Sequence, residues 1–338
     1  MRADVFRMPL ARSLLIAALM TVPAGARLLA ADCPAPPAAA RDLDLARYYA
    51  DEKGTTVDPA AEARLRAATE PLTAFLGFVA SKADRAWQQR SSPVETAACG
   101  LAWIEAWARA GAYMGTMSSK QAEAQRRWDL AGIALAYLKL KRFATTEQRQ
   151  IVEPWLVALA DKARAAFDEP GVKRNNHWYW MGLAFGATGV ASGSDRHWQQ
   201  ARSIMQDAAR DIGPDGILPL EMARGARALH YHAFALMPLV TLAELAAARG
   251  EDWYALNDGA LHRLVRRTLD GLADPGGFER LAGVTQERPV KTSSGWLTSY
   301  RERFRARVLN DRVRVPAAHR WLGGDVTVLA RALQRNIE

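Results

Sequence analysis

The sequence predicts an all-α protein. Apolar residues recur at spacings of three and four along most of the chain, strand-like alternation is scarce, and glycines and prolines punctuate the helical segments at short intervals. Leu72, Phe75, Leu76 and Val79 mark a helix within residues 71–84, and Leu101, Trp103, Ile104 and Trp107 mark one within 99–114. The same period predicts helices over 122–141, 146–167, 176–188, 197–212, 221–249, 257–272 and 326–333. Breaks fall at Gly115, Gly171, Gly193, Pro214-Asp215-Gly216, Gly250 and Pro275-Gly276-Gly277. Helical hairpins of this kind build bundles, solenoids or α/α toroids. The absence of a fixed repeat period disfavours the common solenoids. Residues 34–56 and the polar stretch 274–294 read as irregular, and long loops in compact domains are often functional.

The N-terminus reads as a signal peptide over residues 1–26. Arg2, Arg7 and Arg12 precede a short apolar run at 14–20, and Ala24-Gly25-Ala26 offers a small-residue cleavage site. An extended N-terminal segment or lid (27–58) and one helical domain (59–338) follow. Export places the protein in the periplasm or outside the cell. In that oxidising setting the two cysteines, Cys33 and Cys99, read as a disulfide, since two thiols do not complete a zinc shell. No His/Asp/Glu cluster has ligand spacing, so no metal or other cofactor is expected. No long uncharged apolar run after residue 30 suggests a membrane span. The net charge is +9, and removing residues 1–26, with three Arg and one Asp, leaves +7. A basic exported protein suits an acidic partner. The charges are spread along helices and no nucleic-acid module is present, which argues against nucleic acid.

Two strings carry candidate chemistry. In Asn175-Asn176-His177-Trp178-Tyr179-Trp180, Asn175 is placed to cap a helix. Asn176, His177 and Trp180 then share one face, where an amide, an imidazole and an indole suit a sugar acid. Capped aromatic core packing is the competing reading. In the second string, 221–232, Arg224 and Tyr231 lie seven apart and Arg227 four from Tyr231, so one helical face would carry two guanidiniums and a phenol. The competing reading there is an ordinary basic helix face. Trp103 and Trp107 read as core. Arg126-Arg127 and Arg301, Arg303 and Arg305 read as solvated faces able to steer a polyanion.

Together these strings resemble the alginate lyases of polysaccharide lyase family 5. The resemblance rests on Asn175-Asn176-His177 with Trp180, on Arg224 with Tyr231, on Cys33-Pro34-Ala35-Pro36-Pro37, Cys99-Gly100-Leu101-Ala102-Trp103 and Ala106-Trp107-Ala108-Arg109-Ala110-Gly111, on Trp296-Leu297 with Tyr300, and on Leu322-Gly323-Gly324-Asp325-Val326-Thr327. It implies an incomplete α/α toroid and a monomeric enzyme that cuts an anionic polysaccharide, polymannuronate by preference, through β-elimination. It assigns catalysis to Asn176, His177, Arg224 and Tyr231. Trp180, Arg227, His230, Tyr137, Tyr48 and Tyr49 are expected to contact substrate. Arg224 beside Tyr231 is expected to lower a phenol pKa that is ordinarily about 10. The chain departs from the family pattern at Thr298-Ser299, where an acidic residue and a proline are common, and matches loosely over 48–62. Alternatives are a lyase for polyglucuronate or hyaluronate, a toroidal glycoside hydrolase with two acids, and a non-catalytic glycan-binding protein.

Overall fold

Three helices are buried on nearly every side: α4 (Lys120–Leu140), α6 (Asn176–Ser192) and α9 (Ala228–Ala248). They belong to a computed structural model that describes residues 33–336 apart from 53, 90, 290–294 and 305–316. The predicted signal peptide lies outside the described residues. Thirteen α-helices and two strands of two residues each make up the described chain.

The helices pair as hairpins: α2 (Glu70–Gln88) with α3 (Pro93–Arg109), α4 with α5 (Thr146–Arg164), α6 with α7 (Asp195–Asp211), and α9 with α10 (Leu256–Ala273). The first members, α2, α4, α6 and α9, pack side by side as an inner layer, and their partners cover them outside. This is the α/α toroid expected. Outer helices bury one stripe; α7 hides His197, Trp198, Ala201, Ile204, Met205, Ala208 and Ala209 at helical spacing. The inner helices α6 and α9 are apolar on nearly every face, while α4 is buried on every face but carries polar and charged side chains among its apolar ones. Within α6, Gly189 lets α7 approach closely: a Cβ there would lie 2.8 Å from the Trp198 backbone nitrogen. Residues 225–248 are apolar enough by composition to cross a membrane, yet they are mostly buried as core.

The described residues of 34–58 form no helix, as expected, but they are fastened down. Trp103 and Trp107 donate their indole N–H groups to the carbonyls of Pro34 and Pro37, at 2.7 and 2.9 Å. Leu43 bridges to Met117. Cys33 and Cys99 are disulfide-bonded. Trp107 stacks on Phe75 within the core.

Three short helices escape the periodicity: α1 (Pro59–Ala68), with no buried residue, α11 (Gly276–Ala282), inside the stretch read as a loop, and α12 (Trp296–Phe304). The helix predicted over 221–249 is not continuous. It divides into α8 (Pro219–Met222), a 3₁₀ turn (Gly225–Arg227) and α9.

The strands, β1 (Ala318–His319) and β2 (Gly324–Asp325), fold a hairpin against the inner layer ahead of α13 (Val326–Asn336). Its clamp is Lys139, fully buried on α4, whose ammonium meets Asp84 at 2.5 Å and the carbonyls of Gly323 and Asp325 at 2.8 and 2.9 Å. Asp84 in turn accepts the Asp325 backbone N–H at 2.9 Å. Breaking one side of a buried ion pair strands the other charge. Asp84→Ala is therefore expected to cost about 3–5 kcal/mol, read as a lowered denaturant midpoint. An unchanged midpoint would show that the clamp is not structural.

Candidate active site

The turn Gly213–Gly216 reverses the chain after α7, with Gly213 N–H donating to Ile217 at 2.9 Å and Asp215 accepting Ile217 N–H at 3.1 Å. His232 fastens the far side of this turn. Its Nε2 accepts the Leu218 N–H at 3.0 Å and its Nδ1 lies 2.8 Å from the Ala228 carbonyl. Those partners require one protonated nitrogen and one bare one, so the ring is neutral; burial brings its pKa down to about 4. His232 is structural.

The turn delivers Glu221, on α8, to the start of α6. Glu221 is fully buried, and its carboxylate accepts the Asn176 backbone N–H at 2.6 Å. The Asn176 side-chain nitrogen reaches both carboxylate oxygens, at 3.0 and 3.1 Å. Two oxygens of one carboxylate subtend a far narrower angle than the two N–H bonds of an amide. One N–H therefore points between them and the other makes no bond to this carboxylate. The Asn176 Oδ1 atom is buried without a partner. Asn175 caps α6 through the His177 N–H at 3.1 Å, as expected.

Arg224 reaches Tyr231 by a different route from the shared helical face the spacing predicts. Gly225 takes a positive φ of 56°, breaks the helix and turns Arg224 back over α9. Gln286 secures the break, donating to the Gly225 carbonyl and accepting the Leu229 N–H, both at 3.0 Å. The Arg224 guanidinium then lies 3.8 Å above the Tyr231 ring centre, and Arg227 lies 5.2 Å from it. The phenol is not lowered as expected. Burial is the largest influence and pushes Tyr231 up to about 12; Tyr48 adds to the rise, while both arginines oppose it.

The same arginine acts on His177. This imidazole is brought down to about 3 by burial, then by Arg127, then by Arg224, and its Nδ1 has no partner. It stacks on Trp128 of α4, ring centres 5.8 Å apart. His230 stands edge-on to Tyr231 and is also held near 3, by burial and then by Arg227 and Arg224. Arg224 is thus the common neighbour of His177, His230, Tyr231 and, through Glu221, Asn176.

Tyr48 and Tyr49, expected to contact substrate, lie beside Tyr231. Tyr49 hydrogen-bonds the Tyr231 hydroxyl, Tyr48 bonds Tyr49 at 2.7 Å, and Arg227 donates to Tyr49 at 2.5 Å. Arg224 donates to the Gly54 carbonyl at 2.9 Å, so Tyr49 and Gly54 lie over both arginines. Burial raises the pKa of both tyrosines.

Two residues expected to contact substrate are fully buried. Trp180 is fully buried, packed against Phe234 and Trp321 with ring centres 5.4 and 5.9 Å away, because α6 is an inner helix with no open face. It backs the site and offers no stacking surface. Tyr137 is also fully buried and donates to Glu153 at 3.0 Å. It sits nine residues along α4 from Trp128, about 13 Å on the helix axis. Trp128, which stacks on His177, is an aromatic at the site that sequence reasoning missed beside the basic pair it noticed. Glu221 was missed too.

Residues 42–278 match the family model described as alginate lyase. A polysaccharide lyase of Stenotrophomonas maltophilia is 42% identical over 320 residues, 93% of this chain and 95% of its own. An alginate lyase of Azotobacter vinelandii is 33% identical over 292 residues, 82% and 77% of the two chains. The crystal structure of alginate lyase A1-III from Sphingomonas species A1 superposes with a TM-score of 0.74 at 25% identity, covering 88% of this chain and 85% of that one. A form of A1-III complexed with tetrasaccharide gives 0.76, covering 90% and 86%. With the family model spanning most of the chain and the same toroid in its solved relatives, this chain belongs to the alginate lyase family.

Proposed function

We propose that this enzyme cleaves 1,4-linked polyuronates, polymannuronate by preference, through β-elimination at Tyr231. The observation that carries the reading is the placement of Arg224, which covers the Tyr231 ring while its charge reaches His177. The C5 proton of a uronate is a poor acid, because its loss puts further negative charge beside the carboxylate. A site that lowers this barrier holds donors and cations where the charge develops. The free N–H of Asn176, the imidazole of His177 and the guanidinium of Arg224 supply them. Tyr231, as phenolate, takes the C5 proton. The C4–O bond breaks, a C4–C5 double bond forms, and the phenol returns its proton to the departing oxygen. Glu221 is no rival acid, being buried and committed to Asn176.

The preference follows from stereochemistry. In β-D-mannuronate the C5 proton and C4 oxygen lie on the same side, so one phenol serves both. In α-L-guluronate they lie opposite, and the second base would be His177, whose basicity burial and two arginines suppress. β-D-Glucuronate differs from β-D-mannuronate at C2 and keeps the C4–C5 arrangement, so its polymers belong in any assay. In the free enzyme Tyr49 bonds the atom that must move the proton, so segment 48–57 acts as a lid that opens for substrate. The disulfide suits an oxidising compartment and supports export to the periplasm.

On a panel of polymannuronate, polyguluronate, polyglucuronate and hyaluronate, mannuronate chains are expected to give unsaturated, ultraviolet-absorbing ends faster than guluronate chains. Tyr231→Phe is expected to lower kcat by about 10²–10⁴-fold while still binding polymer. Guluronate cleaved faster, or a phenylalanine variant at full rate, would refute the single-phenol scheme.

The pH dependence has a defined sign. Tyr231 acts as phenolate and is pushed up to about 12, so kcat/KM is expected to climb from about pH 6 to about pH 9. His177, held near 3, contributes no acid limb in that range. A profile that falls from about pH 7 upward would contradict phenolate as the base.

A further inference from the structure

The basic pair Arg126-Arg127, read from sequence as a solvated face, is buried, with 3% and 4% exposure. The two arginines are not equivalent. Arg126 holds Glu123 at 2.6 Å and donates to the Lys162 carbonyl at 3.1 Å. Arg127 comes no nearer than 4.0 Å to the same carboxylate and makes no hydrogen bond among the described residues. Its Nε is buried without a partner, and its guanidinium carbon lies 4.8 Å from the Phe167 ring centre. Burial draws its pKa down to about 10, with Arg126 pulling the same way and Glu123 opposing. A desolvated cation whose Nε has no partner and whose one ion pair is as long as 4.0 Å is costly to a fold, and such groups are usually better paired.

The neighbouring groups are unmet as well. Trp128, next in sequence, stacks on His177, and both its Nε1 and the His177 Nδ1 are buried without partners. Arg127 and Trp128 reach His177 from α4, whereas the guanidiniums over the Tyr231 ring, Arg224 and Arg227, come from the chain just before α9. An anion bound by Arg127 would therefore not be the carboxylate of the sugar facing Tyr231. In a polyuronate the next anion along the chain is the carboxylate of the adjoining sugar.

We propose that Arg127, with the Trp128 indole N–H, forms a second carboxylate subsite that binds the uronate next to the one being cleaved. The subsite rests on the polyuronate reading above and adds a specificity-determining residue to it. It requires the polymer to be charged at consecutive sugars. A neutral sugar in the adjoining position would leave the guanidinium buried with only its 4.0 Å contact to Glu123, and would be rejected for that reason.

The test compares Arg127→Met and Arg127→Lys with wild type on oligomannuronates of increasing length, with melting temperatures recorded for each protein. Wild-type turnover checks the polyuronate reading by itself. For Arg127→Met, KM is expected to rise about tenfold on oligomers long enough to fill the adjoining subsite, with kcat nearly unchanged. The shortest oligomer that is cleaved should be spared, and Arg127→Lys should recover part of the loss. Calorimetric binding of the long oligomers to Tyr231→Phe/Arg127→Met, against Tyr231→Phe alone, should show the same loss without turnover. An equal loss on all lengths, a loss confined to kcat, or an altered melting temperature with KM unchanged would each overturn the subsite.

Discussion

The site depends on a carboxylate that never meets water. Glu221 accepts three contacts from Asn176 and lies close enough to Arg224 to feel its charge. Burial raises its pKa, while the Asn176 bonds and Arg224 oppose that rise. Two stretches of chain far apart in sequence, the start of α6 and the turn before α9, are joined at this point. A buried charge left without its partner is strongly destabilising, so the clasp is all-or-none. It also fixes Asn176: one N–H is consumed, the other is oriented, and the neighbouring His177 follows on the same turn of α6.

Around that clasp the electrostatics are those of a receptor for an anion. His177 and His230 are neutral because burial and nearby arginines disfavour their charged forms. Tyr231 is held protonated by burial, although Arg224 and Arg227 oppose this. In the free enzyme Tyr48, Tyr49 and the Gly54 carbonyl occupy the arginines' donors and the phenol's hydroxyl. Glu287 is the nearest acid to Arg227, at 3.3 Å, and is half exposed. The lid contacts are neutral hydroxyls and a carbonyl, weaker partners for a guanidinium than a carboxylate. In the proposed scheme a uronate displaces them, which would couple opening of this segment to binding.

Most of the fold was legible in the sequence, because the inner and outer helices differ in how many faces they bury. The Asn175 cap, the core role of Trp103 and Trp107, and the irregular course of 34–56 follow from local rules. What failed did so for tertiary reasons. The apolar period runs unbroken through Gly225, so one helix was read where a positive φ divides two. Arg126 and Arg127 carry the charge of a solvated face, yet α4 is an inner helix without one. Trp180 and Trp128 are indistinguishable by spacing, and packing alone turned the first into the core and the second toward His177. Glu221 gave no local signal, since its significance lies entirely in the asparagine it meets 45 residues away.

If Glu221 acts on the reaction by holding Asn176, the two residues form one functional unit. The most direct measurement is a double-mutant cycle on kcat/KM with Glu221→Gln, Asn176→Ala and the combined variant, each checked for folding. The clasp predicts that Glu221→Gln alone lowers kcat/KM by about 10²-fold through misplacement of Asn176, and that the combined variant is no slower than Asn176→Ala. Losses that multiply in the double variant, or a Glu221→Gln enzyme at wild-type rate, would contradict it.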